Sequence, residues 1–166
     1  MKRIPWAERS TEEARLLNPA FIGATITVCA AAYQTDEHAG LPYPLAFIAV
    51  PVVLHKPTRE ALPRSISTTM ASWLTEYPRV HIGFADRARA LVPLVKEAII
   101  FASNGDLLAQ ADAQLVPSDR RPSMRRYERV ATDDVKACLK KAEFVGRWFA
   151  RSGDYATVMA LWGVAP

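Results

Sequence analysis

Histidines, cysteines, clustered acids and glycine-rich turns are the first features of this 166-residue sequence to weigh for chemistry. His38, His55 and His81 lie far apart, and none has a carboxylate, hydroxyl or second ligand at the spacing a triad or zinc site uses, so none is assigned as a base. They read as surface or capping residues. Cys29 and Cys138 are isolated, which signals neither a disulfide framework nor a zinc knuckle, and Cys138 falls on an apolar stripe where a thiol packs rather than reacts. The pairs Glu12-Glu13 and Asp133-Asp134 stand where helices open, and the helix dipole accounts for them without acid–base work. Gly40, Gly83 and Gly105 form neither a Walker loop nor G-x-G-x-x-G, so no nucleotide cradle is present. No catalytic, cofactor-binding or metal-binding residue is assigned, and the chain is read as a non-enzyme.

Two groups remain with binding chemistry. Residues 117–130 form a basic connector in which Arg120, Arg121, Arg125, Arg126 and Arg129, with Tyr127 among them, face only Asp119 and Glu128. Guanidinium groups so placed clamp phosphates or acidic side chains; the competing reading is a solvated loop. Near the end of the chain, Phe144, Trp148, Phe149, Tyr155 and Trp162 make an aromatic group that looks too large to be wholly internal. Phe144, Trp148, Tyr155 and Trp162 are therefore candidate anchors for a partner protein, with core packing the alternative.

These groups need elements to position them. Ser10 to Glu13 caps a short first helix leading into Leu17, and Asn18-Pro19 restarts a helix that stays apolar nearly all round to Tyr33, which places it centrally. Residues 35–44 read as a loop. The apolar run 45–54 favours a helix, although β-branched Val52-Val53 leaves a strand open. Residues 65–77 predict a helix capped by Ser65 or Ser67, and 84–102 a longer one that Pro93 should kink and Asn104-Gly105 should end. Alternation over 107–115 predicts a half-buried strand, for which 79–84 is the candidate partner. Thr132 caps a terminal helix whose stripe is Val135, Cys138, Leu139, Ala142, Val145 and Phe149, and a short helix over 155–162 follows.

Half of the residues are hydrophobic, 23% are charged and the net charge is +4, a composition that excludes disordered and fibrous classes and permits, without requiring, an acidic partner. The charged stretch after Met1-Lys2-Arg3 occupies the place of a signal peptide's apolar region, and neither apolar run is long enough to span a bilayer. A reducing cytoplasm suits the two lone cysteines. The expected fold is a mostly α single domain over 1–166, with a small β element resembling a winged-helix arrangement.

Several stretches together resemble the middle components of bacterial ABC-three-component systems. They are Asn18-Pro19-Ala20-Phe21-Ile22-Gly23, the run Leu45 to His55 with Lys56-Pro57-Thr58-Arg59-Glu60-Ala61-Leu62-Pro63, Trp73-Leu74, Lys141 to Ala150, and Leu161 to Pro166. The resemblance implies an adaptor between an SMC-like ABC ATPase and an effector subunit such as a nuclease, in a complex of anti-phage defence that senses foreign DNA. It carries over no catalytic residue. The competing reading is a small DNA-binding module of helix-turn-helix type, with helices at 65–77 and 84–102 and arginines on phosphate.

Overall fold

The computed structural model describes residues 17–123, 125–126, 129 and 131–165. Asn18 opens the first helix as its chemistry requires: Oδ1 accepts the Ala20 backbone N–H at 2.8 Å, and Pro19 takes a position where no N–H is needed. That helix, α1 (Pro19–Glu37), is buried without a break from 22 to 30. Its polar groups close on themselves, Thr25 and Thr27 donating to the Phe21 and Gly23 carbonyls at 2.9 and 2.8 Å.

Helices α5 (Phe84–Asn104) and α6 (Asp133–Ala150) pack along α1. Two glycines set those approaches. A Cβ on Gly23 would lie 3.1 Å from the Ala98 carbonyl oxygen of α5, and one on Gly146 of α6 would collide with the Cys29 carbonyl oxygen of α1. Thr132 caps α6 through the Val135 N–H, and Asp133 and Asp134 fill its first turn, as the sequence predicts.

The ambiguous run becomes a helix, α2 (Tyr43–Leu54), which passes through Pro51 and buries Val52 and Val53. Helix α3 (Lys56–Ala61) follows with His55 as the joint. The helix expected over 65–77 is shorter, α4 (Met70–Glu76), capped by Thr69. Ser65 and Ser67 do not cap it because their hydroxyls bond each other at 2.7 Å, and Ser65 also accepts the Ser67 N–H, a local turn that competes with helix.

The strand expected at 79–84 is instead a 3-10 helix (Pro78–His81) with Gly83 at φ 66 beyond it. Arg87 donates to the Val80 and Ile82 carbonyls at 3.4 and 2.8 Å, occupying acceptors that a β ladder would need. The strand expected over 107–115 breaks into β2 (Leu108–Ala111) and β3 (Gln114–Pro117), and their sheet partner is β1 (Leu41–Pro42), so the expected loop at 35–44 holds the end of α1 and a strand. The three strands are antiparallel in the order β1-β3-β2. Leu115 and Pro117 of β3 are buried on the expected parity, whereas Ala109, Ala111 and Ala113 are exposed and Leu108, of the opposite parity, is the buried residue of β2. The architecture is thus mostly α with a small sheet; the chain closes with α7 (Tyr155–Leu161).

Asp112 and Ala113 turn the hairpin at φ 48 and 60, the backbone of a type I′ turn. Alanine holds that conformation at a cost of about 1–2 kcal/mol. Ala113→Gly is expected to raise stability by about 1 kcal/mol in chemical denaturation. The Ala113 carbonyl accepts the Tyr43 N–H at 2.8 Å, a main-chain bond that any residue keeps, so an unchanged or lower midpoint counts against this account.

Candidate functional site

The aromatic group turns mostly inward. Trp148 and Trp162, offered by sequence as partner anchors, are each 1% exposed and belong to this chain's core. The correction has a physical reason: α4, α5, α6 and α7 converge on one aromatic cluster. The Trp73 ring meets Trp148 edge-on at 5.3 Å, and Trp162 lies 4.5 Å from Phe84 and 6.0 Å from Trp73. The indoles also hold the irregular segment before α4, since Trp73 Nε1 donates to the Ala61 carbonyl at 3.0 Å and Trp148 Nε1 to the Thr68 carbonyl at 2.7 Å. Trp162 Nε1 is buried without a partner, but His81 crosses its ring and donates to the Leu161 carbonyl at 2.9 Å. Of the four candidates, Phe144 is half-buried beside Trp148, and Tyr155 is exposed.

In the connector, Arg120 pairs with Asp106 at 3.2 Å and Arg121 donates to the Ser118 carbonyl at 3.0 Å, both at the surface. Exposed pairs of this kind add little stability. Arg125, Arg126 and Arg129 are exposed, while Tyr127 lies outside the described residues, as does the helix expected at the start of the chain. Arginines 120, 121, 125, 126 and 129 are thus all exposed, with Arg120 and Arg121 engaged within the chain.

The corner between α2 and α3 is the site that sequence reasoning missed. Helical bonding would send the Val53 carbonyl to residue 57, and Pro57 has no N–H to give. Arg59 fills the vacancy: Nη1 donates to the Val53 carbonyl at 2.8 Å while Nη2 pairs with Asp134 at 2.7 Å, a guanidinium 5% exposed holding a carboxylate 75% exposed. Cys138 packs against the same carbonyl with Sγ at 3.9 Å. Burial pushes the Cys138 thiol up, more than Arg59 pulls it down, and burial raises Cys29 to about 12, so both are protonated packing residues. His55 bonds Thr58 at 2.8 Å through Nδ1, and burial followed by the Arg87 guanidinium lowers its pKa. It is neutral at pH 7.

Two open, largely apolar grooves meet at His55. One, about 430 Å³, runs over Leu17, Phe21, Leu54 and Leu91. The other, about 520 Å³, runs over Pro57, Tyr77 and Pro78. Among the described residues no group of three or more His, Cys, Asp or Glu side chains could hold a metal ion, and no helix is long and apolar enough to cross a membrane.

The sequence model of a family described as ABC-three component (ABC-3C) system Middle Component 3 matches residues 6–166. No curated protein and no solved structure matches the chain.

Proposed function

The chain belongs to the Middle Component 3 family of ABC-three-component systems, and from that membership we propose that it is a non-enzymatic adaptor joining an SMC-like ABC ATPase to an effector subunit such as a nuclease. The complex would be cytoplasmic and would act against phage or other foreign DNA, with ATP hydrolysis and cleavage left to the partners. The family match, which takes in all but the first five residues, is the observation that carries this reading. The outward apolar residues Tyr77, Ile82, Ile100, Phe101 and Tyr155 support it as contact points, and Phe144 is a further one at the edge of the aromatic core.

The test is co-expression with the ATPase and effector of the same system, followed by size-exclusion chromatography. A complex containing all three chains is expected; a chain that elutes alone beside both partners overturns the reading.

A second reading, duplex-DNA binding of helix-turn-helix type, is favoured by one observation: the order α1, β1, α2, then α5, β2, β3, with β3 central, is that of a winged-helix unit. Against it, residues 55–83 stand between α2 and α5 where such a unit has a short turn. Titration of duplex DNA with the isolated chain separates the two, because a stand-alone binder shows affinity falling steeply with salt and an adaptor binds poorly alone. Reversing Arg125 and Arg126 together to Glu is expected to weaken assembly or DNA association in the complex by about tenfold or more, with the melting temperature unchanged because both are exposed. Unchanged binding in both assays would make the connector solvated surface.

A further inference from the structure

The groove beside the α2–α3 corner has an apolar floor and one cation that pairs with no carboxylate among the described residues. Its floor is Leu17, Phe21, Leu54 and Leu91, four large aliphatic or aromatic side chains left part-exposed in this chain. Its charged lining is Arg59, Asp134 and Arg87. Arg59 and Asp134 neutralise each other at 2.7 Å. Arg87 spends its two terminal nitrogens on the Val80 and Ile82 carbonyls, which carry no charge, and its Nε is buried with no partner. Of the other titratable groups on the wall, His55 is held towards its neutral form and burial keeps the Cys138 thiol protonated. The positive ends of α1, α5 and α6 border the same groove and the negative end of α2, at Pro51 and Leu54, faces them, which leaves Arg87 as the formal charge that decides its sign. A groove of this kind selects an apolar segment that brings its own carboxylate.

We propose that this groove seats an amphipathic segment of a partner subunit, with Leu-, Ile- or Phe-type anchors on the floor and an Asp or Glu facing Arg87. The inference rests on the adaptor reading above and gives it a surface. The chain's own residues 1–16 are a poorer complement: Lys2, Arg3, Arg9 and Arg15 against Glu8, Glu12 and Glu13 make four bases to three acids, a net positive segment. The groove also explains why Lys56-Pro57-Thr58-Arg59 is built as it is, since Pro57 strands a carbonyl and Arg59, drawn in to satisfy it, closes the groove's wall.

Ala90 lines the groove and is exposed, so it accepts a larger side chain without disturbing the core. In the co-expressed complex, Ala90→Glu is expected to weaken partner binding by at least about tenfold, whereas Ala90→Arg, of similar bulk and opposite sign, should bind at least as well as wild type. Equal weakening by both, or by neither, overturns the charge argument. Benzoylphenylalanine at Ala90, photolysed in the assembled complex, should cross-link to a partner segment that carries apolar and acidic residues. Cross-links to residues 1–16, to a second copy of this chain or to a basic partner segment, or none from a complex that has formed, overturn the proposal and leave the adaptor reading standing. A wild-type chain that assembles with neither partner overturns both.

Discussion

Gly146→Ala is expected to destabilise the chain by about 3 kcal/mol, enough to lower the thermal midpoint by roughly 6–12 °C in a protein of this size. The sign is what makes the experiment informative. At an unconstrained helical position alanine is better than glycine by about 1 kcal/mol, so the substitution would ordinarily stabilise. Here the added Cβ would drive into the Cys29 carbonyl oxygen and come within 3.0 Å of Ala32 Cβ. The obstruction is main chain of α1, which has no rotamer to change, and α1 has little room to retreat because Gly23 on it already meets α5 near Ala98 and Ala102. Gly23→Ala, with its Cβ 3.1 Å from the Ala98 oxygen, should cost less, since a few tenths of an ångström relieve it. A higher midpoint for Gly146→Ala in calorimetry would mean that α1 and α6 do not approach as closely as described.

Much of this helical packing is legible in the sequence, and the reason is periodicity. The terminal helix presents Cys138, Leu139, Ala142, Val145 and Phe149 to the core as the pattern predicts, and the central helix announces itself by lacking any polar face. Short-range competition is what the pattern misses. Ser65 and Ser67 look like caps and form a turn; Arg79 to Phe84 alternates like a strand, yet Arg87 takes its carbonyls. The alternating alanines conceal a hairpin because the turn at Asp112-Ala113 uses a backbone conformation that alanine rarely adopts, with none of the glycine or asparagine that usually marks it.

The candidate site divides along the same line. Exposed arginines are readable because nothing nearby in sequence could bury them, and Arg125, Arg126 and Arg129 are indeed at the surface. Arg59 is the opposite case, a cation drawn inside by a carbonyl six residues back and a carboxylate on a distant helix. The local half of that arrangement was available in principle, since proline four residues after Val53 leaves an acceptor without a donor. The distant half, Asp134, was not: it looked like dipole chemistry at a helix start, and it serves both purposes. Arg87 carries no local signal of a site, and only the fold brings it over the groove.

Trp148→Ala separates the two meanings that the aromatic cluster carried in sequence. If Trp148 were a partner anchor, truncating it would leave the isolated chain as stable as before and cost only assembly. As a core residue it should cost about 3–5 kcal/mol, the usual loss for a buried large aromatic. Two local terms push towards the upper end of that range: the ring's contacts with Trp73 and Phe144 are lost, and the Thr68 carbonyl gives up a 2.7 Å bond in a part-buried setting. A loss of that size is a large share of the total stability of an ordinary domain, so urea denaturation of the purified chain should show a much lower midpoint before any partner is added. Tyr155→Ala is the counterpart on the outside, where a ring 43% exposed should change the midpoint little and any effect should appear in assembly. If instead Trp148→Ala melts like wild type and fails only to assemble, the tryptophan faces outward in solution and the inward cluster described here is wrong.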